Sequence, residues 1–244
     1  MNISLVAPFI ILLAVSTASA LPFMMTKSTV TVETESPGLD TSPDIIDLNS
    51  TVGQTFFKQL KSHYHYNHIH KFYRPQLKNH CGIATAVIGM NTLLNADVWT
   101  QKSIFTQDVT RFLNESTVYK QGMTLDNLFK VIAAVSDIPQ MERMVFQPKK
   151  MMDVFQRDVK RFYSNSFMSG LMAINLNRKT LWGAGGGHFL LVASEINEHG
   201  YILLHEVSAT RPSFFVKVES LVYSMSTPDS VSLLPRGWIS LLNA

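Results

Sequence analysis

The sequence predicts an α+β domain in which a helix carries the cysteine and an antiparallel sheet carries the histidine and its acid. Two observations point there. After Cys81 the stretch GIATAVIGMNTLL spaces Ile83, Val87, Met90 and Leu94 by four, three and four residues, one stripe of an amphipathic helix. Farther on, Phe189 to Ile196 and Tyr201 to Val207 are β-prone runs parted by Asn197-Glu198-His199-Gly200, which reads as a hairpin.

Taken in order, residues 1–20 (MNISLVAPFIILLAVSTASA) join an apolar run to a closing Ala18-Ser19-Ala20, the small-x-small pattern of a cleaved signal peptide. The apolar run falls short of the roughly 20 residues a spanning helix needs, so export to a periplasm or secretory route is expected, without a stable membrane anchor. Residues 21–48 are rich in Thr, Ser and Pro, lack a sustained apolar period and read as a flexible leader. Residues 49–244 then form one catalytic domain, long enough for a proper core and without solenoid-like repeats. The net charge of +3 is spread over scattered Lys and Arg rather than a stripe, which argues against nucleic acid and is compatible with a small anionic substrate. A homodimer is compatible with the sequence, and nothing in it fixes an oligomeric state.

Cys81 is the only cysteine of 244 residues. Exported proteins usually pair their cysteines as disulfides, and this one has no partner within the chain. Either it is a small core hydrophobe, or it forms an intermolecular disulfide, or it is a reactive thiol. Its place favours the last. RPQLKNH ahead of it reads as loop, so Cys81 opens the helix, where unpaired N–H groups and the helix dipole favour a thiolate. Gly82 and Ala84 leave room for a substrate backbone or for tight helix packing.

A thiol nucleophile needs a base, and the base a group that orients it. Of eight histidines, His63, His65, His68 and His70 crowd into SHYHYNHIHKF. Their spacing fits no zinc site and no acidic or Cys ligands accompany them, so the tract reads as a polar, aromatic surface segment, and no metal site is assigned. His188 instead follows a glycine-rich approach into the first strand of the hairpin. Glu206 lies 18 residues on, nearly as far from the turn, so adjacent antiparallel strands bring it beside His188. His205 points to the opposite face and reads as structural or surface. The run Gly183 to Gly187 leads into a strand rather than a helix and reads as a tight turn or a close approach, not a phosphate loop. Gln76, five residues before Cys81, could donate its amide to an oxyanion or be an ordinary loop residue.

As a set, HCGIATAVIGMNTLL, GMTLDNLFKVI, INLNR, GGGHFLLVASE, YILLHEVSATRPSFFV and PRGW resemble, in order, the phytochelatin synthases (glutathione γ-glutamylcysteinyltransferases), especially their short exported bacterial form. The resemblance spans residues 49 to 240 and implies a papain-like cysteine peptidase fold. It implies Cys81 as nucleophile, His188 as base and Glu206 in the place of the family's Asp. It matches Arg236 of PRGW and Arg178 of NLNR to basic positions near the substrate. Glu is one methylene longer than Asp, Gln76 is five residues before Cys81 where the family's glutamine is six, and GHFLL replaces the family's GHFSP.

The chemistry so implied is acyl transfer. Cys81 would attack the cysteinyl carbonyl of glutathione and release glycine. The γ-glutamylcysteinyl thioester would then go to water, giving γ-glutamylcysteine, or to a second glutathione, giving a phytochelatin. The Cys-rich C-terminal region of plant-type members has no counterpart here, which favours hydrolysis. No tightly bound cofactor is expected; a heavy metal such as Cd or Zn would arrive as a glutathione thiolate complex. Two other readings share the motifs: a papain-like peptidase of the double-glycine-leader type, and a binding module that kept the scaffold without catalysis.

Overall fold

A computed structural model describes residues 43–136, 141–145, 151–163 and 169–242, with 141–145 described by backbone alone. The expected signal peptide 1–20 and the leader up to residue 42 lie outside the described residues.

The folded chain starts earlier than Asn49. Strand β1 (Ile45–Asp47) pairs antiparallel with β6 (Phe214–Lys217), Ile46 facing Phe215. Nothing within this short stretch declares a strand; its partner lies some 170 residues away and supplies the ladder. Ser50 then caps α1 (Thr51–Gln59) by accepting from the Gly53 N–H at 3.0 Å. A side chain at Gly53 would collide with the Asp47 carbonyl, so glycine lets this helix lie on the end of β1.

The histidine tract is helix α2 (His63–Lys71), at the surface as expected, with His63, Tyr64, Asn67 and His70 exposed and only His65 and Ile69 buried. His65 is buried with its ring edge against Tyr163, and His70 stacks between Tyr66 and Tyr73. There follow α3 (Cys81–Leu94), α4 (Gln107–Thr110), α5 (Glu115–Gln121), α6 (Leu125–Val135), β2 (Met141–Val145) and α7 (Met151–Tyr163). The second half holds β3 (Gly170–Asn177), α8 (Arg178–Trp182), β4 (Gly187–Ile196), β5 (Tyr201–His205), β6, α9 (Val218–Ser226) and β7 (Gly237–Leu242). One antiparallel sheet runs β1-β6-β5-β4-β3-β7-β2. The α+β class expected from the sequence is therefore present, and helices leading into an antiparallel sheet are consistent with a papain-like arrangement.

Helix α3 departs from the expected single stripe. Every residue from Gly82 to Thr92 is buried, while Leu94, counted in the stripe, is half exposed. The reason is its position: one side lies on β4 and β3, and α2 and α6 cover the other. Gly89 rests against Leu241 and Leu191 of the sheet. Burying Ile83, Val87, Ile88 and Met90 contributes about 1.5–3 kcal/mol each relative to exposure. The helix that carries Cys81 is thus locked by its own packing. Among the described residues no helix is long and apolar enough to cross a membrane.

Candidate active site

Three features place Cys81. The segment Phe72 to His80 crosses the sheet end, with the Gln76 N–H donating to the Val207 carbonyl at 2.8 Å and Gln101 bridging Pro75 and Leu77. Asn79 turns the chain in the left-handed region (φ 58°), a conformation asparagine tolerates. His80 is the N-cap of α3, yet no side chain caps the helix, so its first N–H groups are not spent on a cap. His80, in the expected loop, is itself buried, with Nδ1 on the Lys78 carbonyl at 2.6 Å.

His188 opens β4 opposite Leu176 of β3. In the β4–β5 ladder Leu191 faces His205 and Val192 faces Leu204. Continuing that register puts Leu190, not His188, opposite Glu206. The pair is diagonal, on one face, at a typical Cα separation of ~7–8 Å. The contact is nevertheless direct: His188 Nε2 lies 2.8 Å from Glu206 Oε1, and both residues are buried. The glutamate's additional methylene gives it reach across the diagonal. Glu206 Oε1 also accepts from the Val207 and Ser208 N–H groups, each at 2.8 Å, while Oε2 is buried without a hydrogen-bond partner.

With Nε2 on the glutamate, the other ring nitrogen of His188 is left for the Cys81 thiol, and the two side chains are hydrogen-bonded. Burial alone would raise the thiol's pKa. The hydrogen bond and charge of His188 outweigh it, helped by the N–H groups of Phe189 and Gly82, and the pKa falls below its ordinary value. Burial would likewise lower His188, but the thiol and Glu206 raise it to about 9. The three residues therefore favour a thiolate beside an imidazolium.

Beside the thiol lies a narrow cleft of about 80 Å³ lined by Met123, Asn175, Gly187, Phe189, Asp229 and Arg236, among others. Larger hollows of about 550 Å³ behind α3 and 480 Å³ beside β1 contain neither Cys81 nor His188, so chemistry rather than size locates the site. Arg236 is buried, its Nη1 donating to Asp229 Oδ2 at 2.9 Å and to Asn175 Oδ1 at 3.0 Å. Burial lowers its pKa and the Asp229 charge pulls it back up. Gly187 has no side chain because Arg236 Nη1 fills that space. The glycine-rich run is thus both turn and close approach, with Gly183 (φ 74°) ending α8 and Gly185 (φ 96°) turning the chain.

The structure brings Cys81, His188, Glu206 and Arg236 together. Arg178 starts α8, gives its N–H to the Gly186 carbonyl, lies along Gly185, and is not among the residues lining the cleft. Gln76 does not line it either; its side-chain Oε1 is buried without a partner. His205 is buried and bonds His70 at 3.2 Å; burial and the His70 charge lower its pKa to about 3, keeping it neutral and structural. Asn175 and Asp229 escaped the sequence reading. Asn175 left a trace, a lone amide in the apolar strand MAINL, since a buried polar group needs a partner. Asp229 in TPDS left none. Among the described residues no group of three or more His, Cys, Asp or Glu gathers as a metal site.

Comparison with known proteins places the chain in a family. Residues 38–238 match the family profile described as phytochelatin synthase. A glutathione γ-glutamylcysteinyltransferase of Schizosaccharomyces pombe is 27% identical over 168 residues, 66% of this chain. The matched region spans only 39% of that enzyme's length. Fold, site and profile lead to one conclusion: the chain belongs to the phytochelatin synthase family.

Proposed function

We propose that the protein is a thiol-dependent acyltransferase acting on glutathione. The observation that carries this is the chain Cys81–His188–Glu206, a half-buried thiol on a buried His–Glu pair, in which desolvation of the thiol is outweighed and its pKa held down. The Cys81 thiolate attacks the carbonyl carbon of the cysteinyl–glycine bond. As the C–N bond breaks, His188 gives its proton to the departing glycine amine, leaving a γ-glutamylcysteinyl thioester on Cys81. His188, neutral again, takes a proton from the incoming acceptor. Water as acceptor gives γ-glutamylcysteine and the amine of a second glutathione gives a phytochelatin. Glu206 holds the imidazole by Nε2 and stabilises its charged form. The Phe189 and Gly82 N–H groups, which lower the thiol's pKa, are candidates to stabilise the oxyanion, a role for which Gln76, outside the cleft lining, is less well placed. Arg236 sets a positive charge at the cleft for a substrate carboxylate; Arg178, along Gly185 and outside the cleft lining, is the second candidate cation. A heavy-metal ion such as Cd would enter as substrate, bound to the glutathione thiolate. The N-terminal sequence fits the exported short form of the family.

The test is glycine release from glutathione by the mature protein, with and without Cd²⁺, beside an unrelated α-linked peptide. Release from glutathione that Cys81→Ala abolishes is expected. Cleavage of the α-linked peptide with no glycine from glutathione would make this a peptidase of another kind, and no cleavage of either would leave a binding module.

A further inference from the structure

Everything that orients the Glu206 carboxylate acts on one of its oxygens. Oε1 takes His188 Nε2 and the N–H groups of Val207 and Ser208, while Oε2 is buried and bonded to nothing. The direction of the carboxylate is therefore set by the turn at 207–208, which follows the last residue of β5 and has no strand partner of its own. That turn is held from outside by the segment ahead of Cys81. The Gln76 N–H donates to the Val207 carbonyl at 2.8 Å, and the Tyr73 hydroxyl donates to the Ser208 carbonyl at 3.1 Å. Ser208 is thus gripped on both sides of its residue, with its N–H on Glu206 and its carbonyl on Tyr73. Tyr73 is itself fixed, its ring stacked on His70 and set edge-on against His205.

We propose that Tyr73 is a positioning residue for Glu206: its hydroxyl holds the 207–208 turn and so keeps the carboxylate on His188 Nε2. The phenol suits this task because burial, then the charge of Glu206 and the neighbouring Tyr66, raise its pKa and keep its proton in place. The titratable groups around the pair are His188 on β4, His205 on β5, His70 and Tyr66 on α2, and Cys81 on α3. The proposal rests on the catalytic reading of Cys81, His188 and Glu206, and its test reads the thiol rather than glutathione turnover.

The rate of Cys81 alkylation by iodoacetamide is followed from pH 5 to 10 in the wild type, Tyr73→Phe, Glu206→Gln and the double variant. Phenylalanine keeps the ring in its stack, and a thermal melt of each variant confirms folding. Removing the hydroxyl is expected to slow alkylation at pH 6.5 by about three- to tenfold and to move the profile to higher pH, as the loss of one hydrogen bond predicts. In the Glu206→Gln background the same change should alter the rate less than twofold, since groups acting through one another are not additive. Equal slowing in both backgrounds would reduce Tyr73 to a packing residue, and an unshifted Tyr73→Phe profile would overturn the proposal. A wild-type thiol that reacts only near pH 8.5 would do so too, because no oriented pair would then exist. Absence of glycine release from glutathione, with the alkylation pattern as expected, would remove the substrate assignment and leave Tyr73 its role.

Discussion

Replacing Glu206 by aspartate is the substitution on which resemblance and geometry disagree. The family's usual acid is Asp, so resemblance alone expects Glu206→Asp to be neutral or better. The structure predicts the opposite. His188 and Glu206 are diagonal across the β4–β5 ladder, and the carboxylate reaches Nε2 at 2.8 Å by its full length. Removing one methylene withdraws it by about 1.5 Å, the length of a C–C bond, and takes the contact out of hydrogen-bonding range. A hydrogen bond to a charged group is worth about 1.5–3 kcal/mol, which corresponds to a loss of about ten- to a hundredfold in rate. The Val207 and Ser208 N–H groups lose their acceptor together with His188, so a lower melting temperature should accompany the slower chemistry. Initial rates of glycine release give kcat, and alkylation of Cys81 at pH 6.5 gives the thiol's activation independently of substrate. Both should fall. A Glu206→Asp protein as fast as the wild type in both assays would refute the argument from reach.

Three further expectations concern the thiol pair and the cleft wall beside it. With Cys81 below and His188 above its ordinary pKa, the latter at about 9, glycine release should rise on the acid side well below the ordinary thiol pKa and fall as pH passes about 9, where His188 loses the proton the leaving amine needs. His188's folded pKa lies above its unfolded 6.5, so its stabilisation is complete below about 6.5 and lost through about 9; melting curves of wild type and His188→Ala should converge over that window, and a constant gap would contradict the charge pair. Gly187→Ala puts a methyl group against Arg236 Nη1, which Asn175 and Asp229 prevent from stepping aside. A raised KM for glutathione and a loss of about 1–3 kcal/mol of stability are expected, and unchanged kinetics would show that the guanidinium is free to move.

The legible parts of this protein are those whose signals are local. Cys81 at a helix start, the hairpin around Asn197 and the pairing of His188 with Glu206 all follow from periodicity, turn residues and distance from a turn. The register was not local. Next to the turn Ile196 faces Ile202, a register that would set Val192 opposite Glu206; the irregularity between Val192 and Ile196 shifts the ladder by two residues, so Leu190 stands opposite Glu206 and His188 comes within a diagonal of it. Strand β1 was illegible for a like reason, because three residues acquire a conformation only from Phe214 to Val216. The histidine tract lies at the surface as its polarity suggests, but the helical period that sends His65 into the core and His70 toward His205 is not visible in alternating His and Tyr. Asp229 could not be foreseen, since its function is to hold a cation that is distant until the turn at 229–234 closes.

The atoms left without partners say where the fold gives up stability. His80 Nε2, Asn175 Nδ2, Glu206 Oε2 and Arg236 Nε are all buried and unbonded, and each belongs to the thiol's neighbour, its acid or the cleft wall. A buried polar group without a bond costs about 1–3 kcal/mol. The sheet and α3, apolar almost throughout, offset that cost. The start of α3, which lacks a side-chain cap, shows a similar trade. A Ser or Asp at position 80 would satisfy the N–H groups that now favour the thiolate, gaining about 1 kcal/mol of helix stability while competing with the sulfur for its donors. Stability and reactivity therefore oppose each other at the start of this helix, and the sequence HCG resolves the conflict in favour of the thiolate.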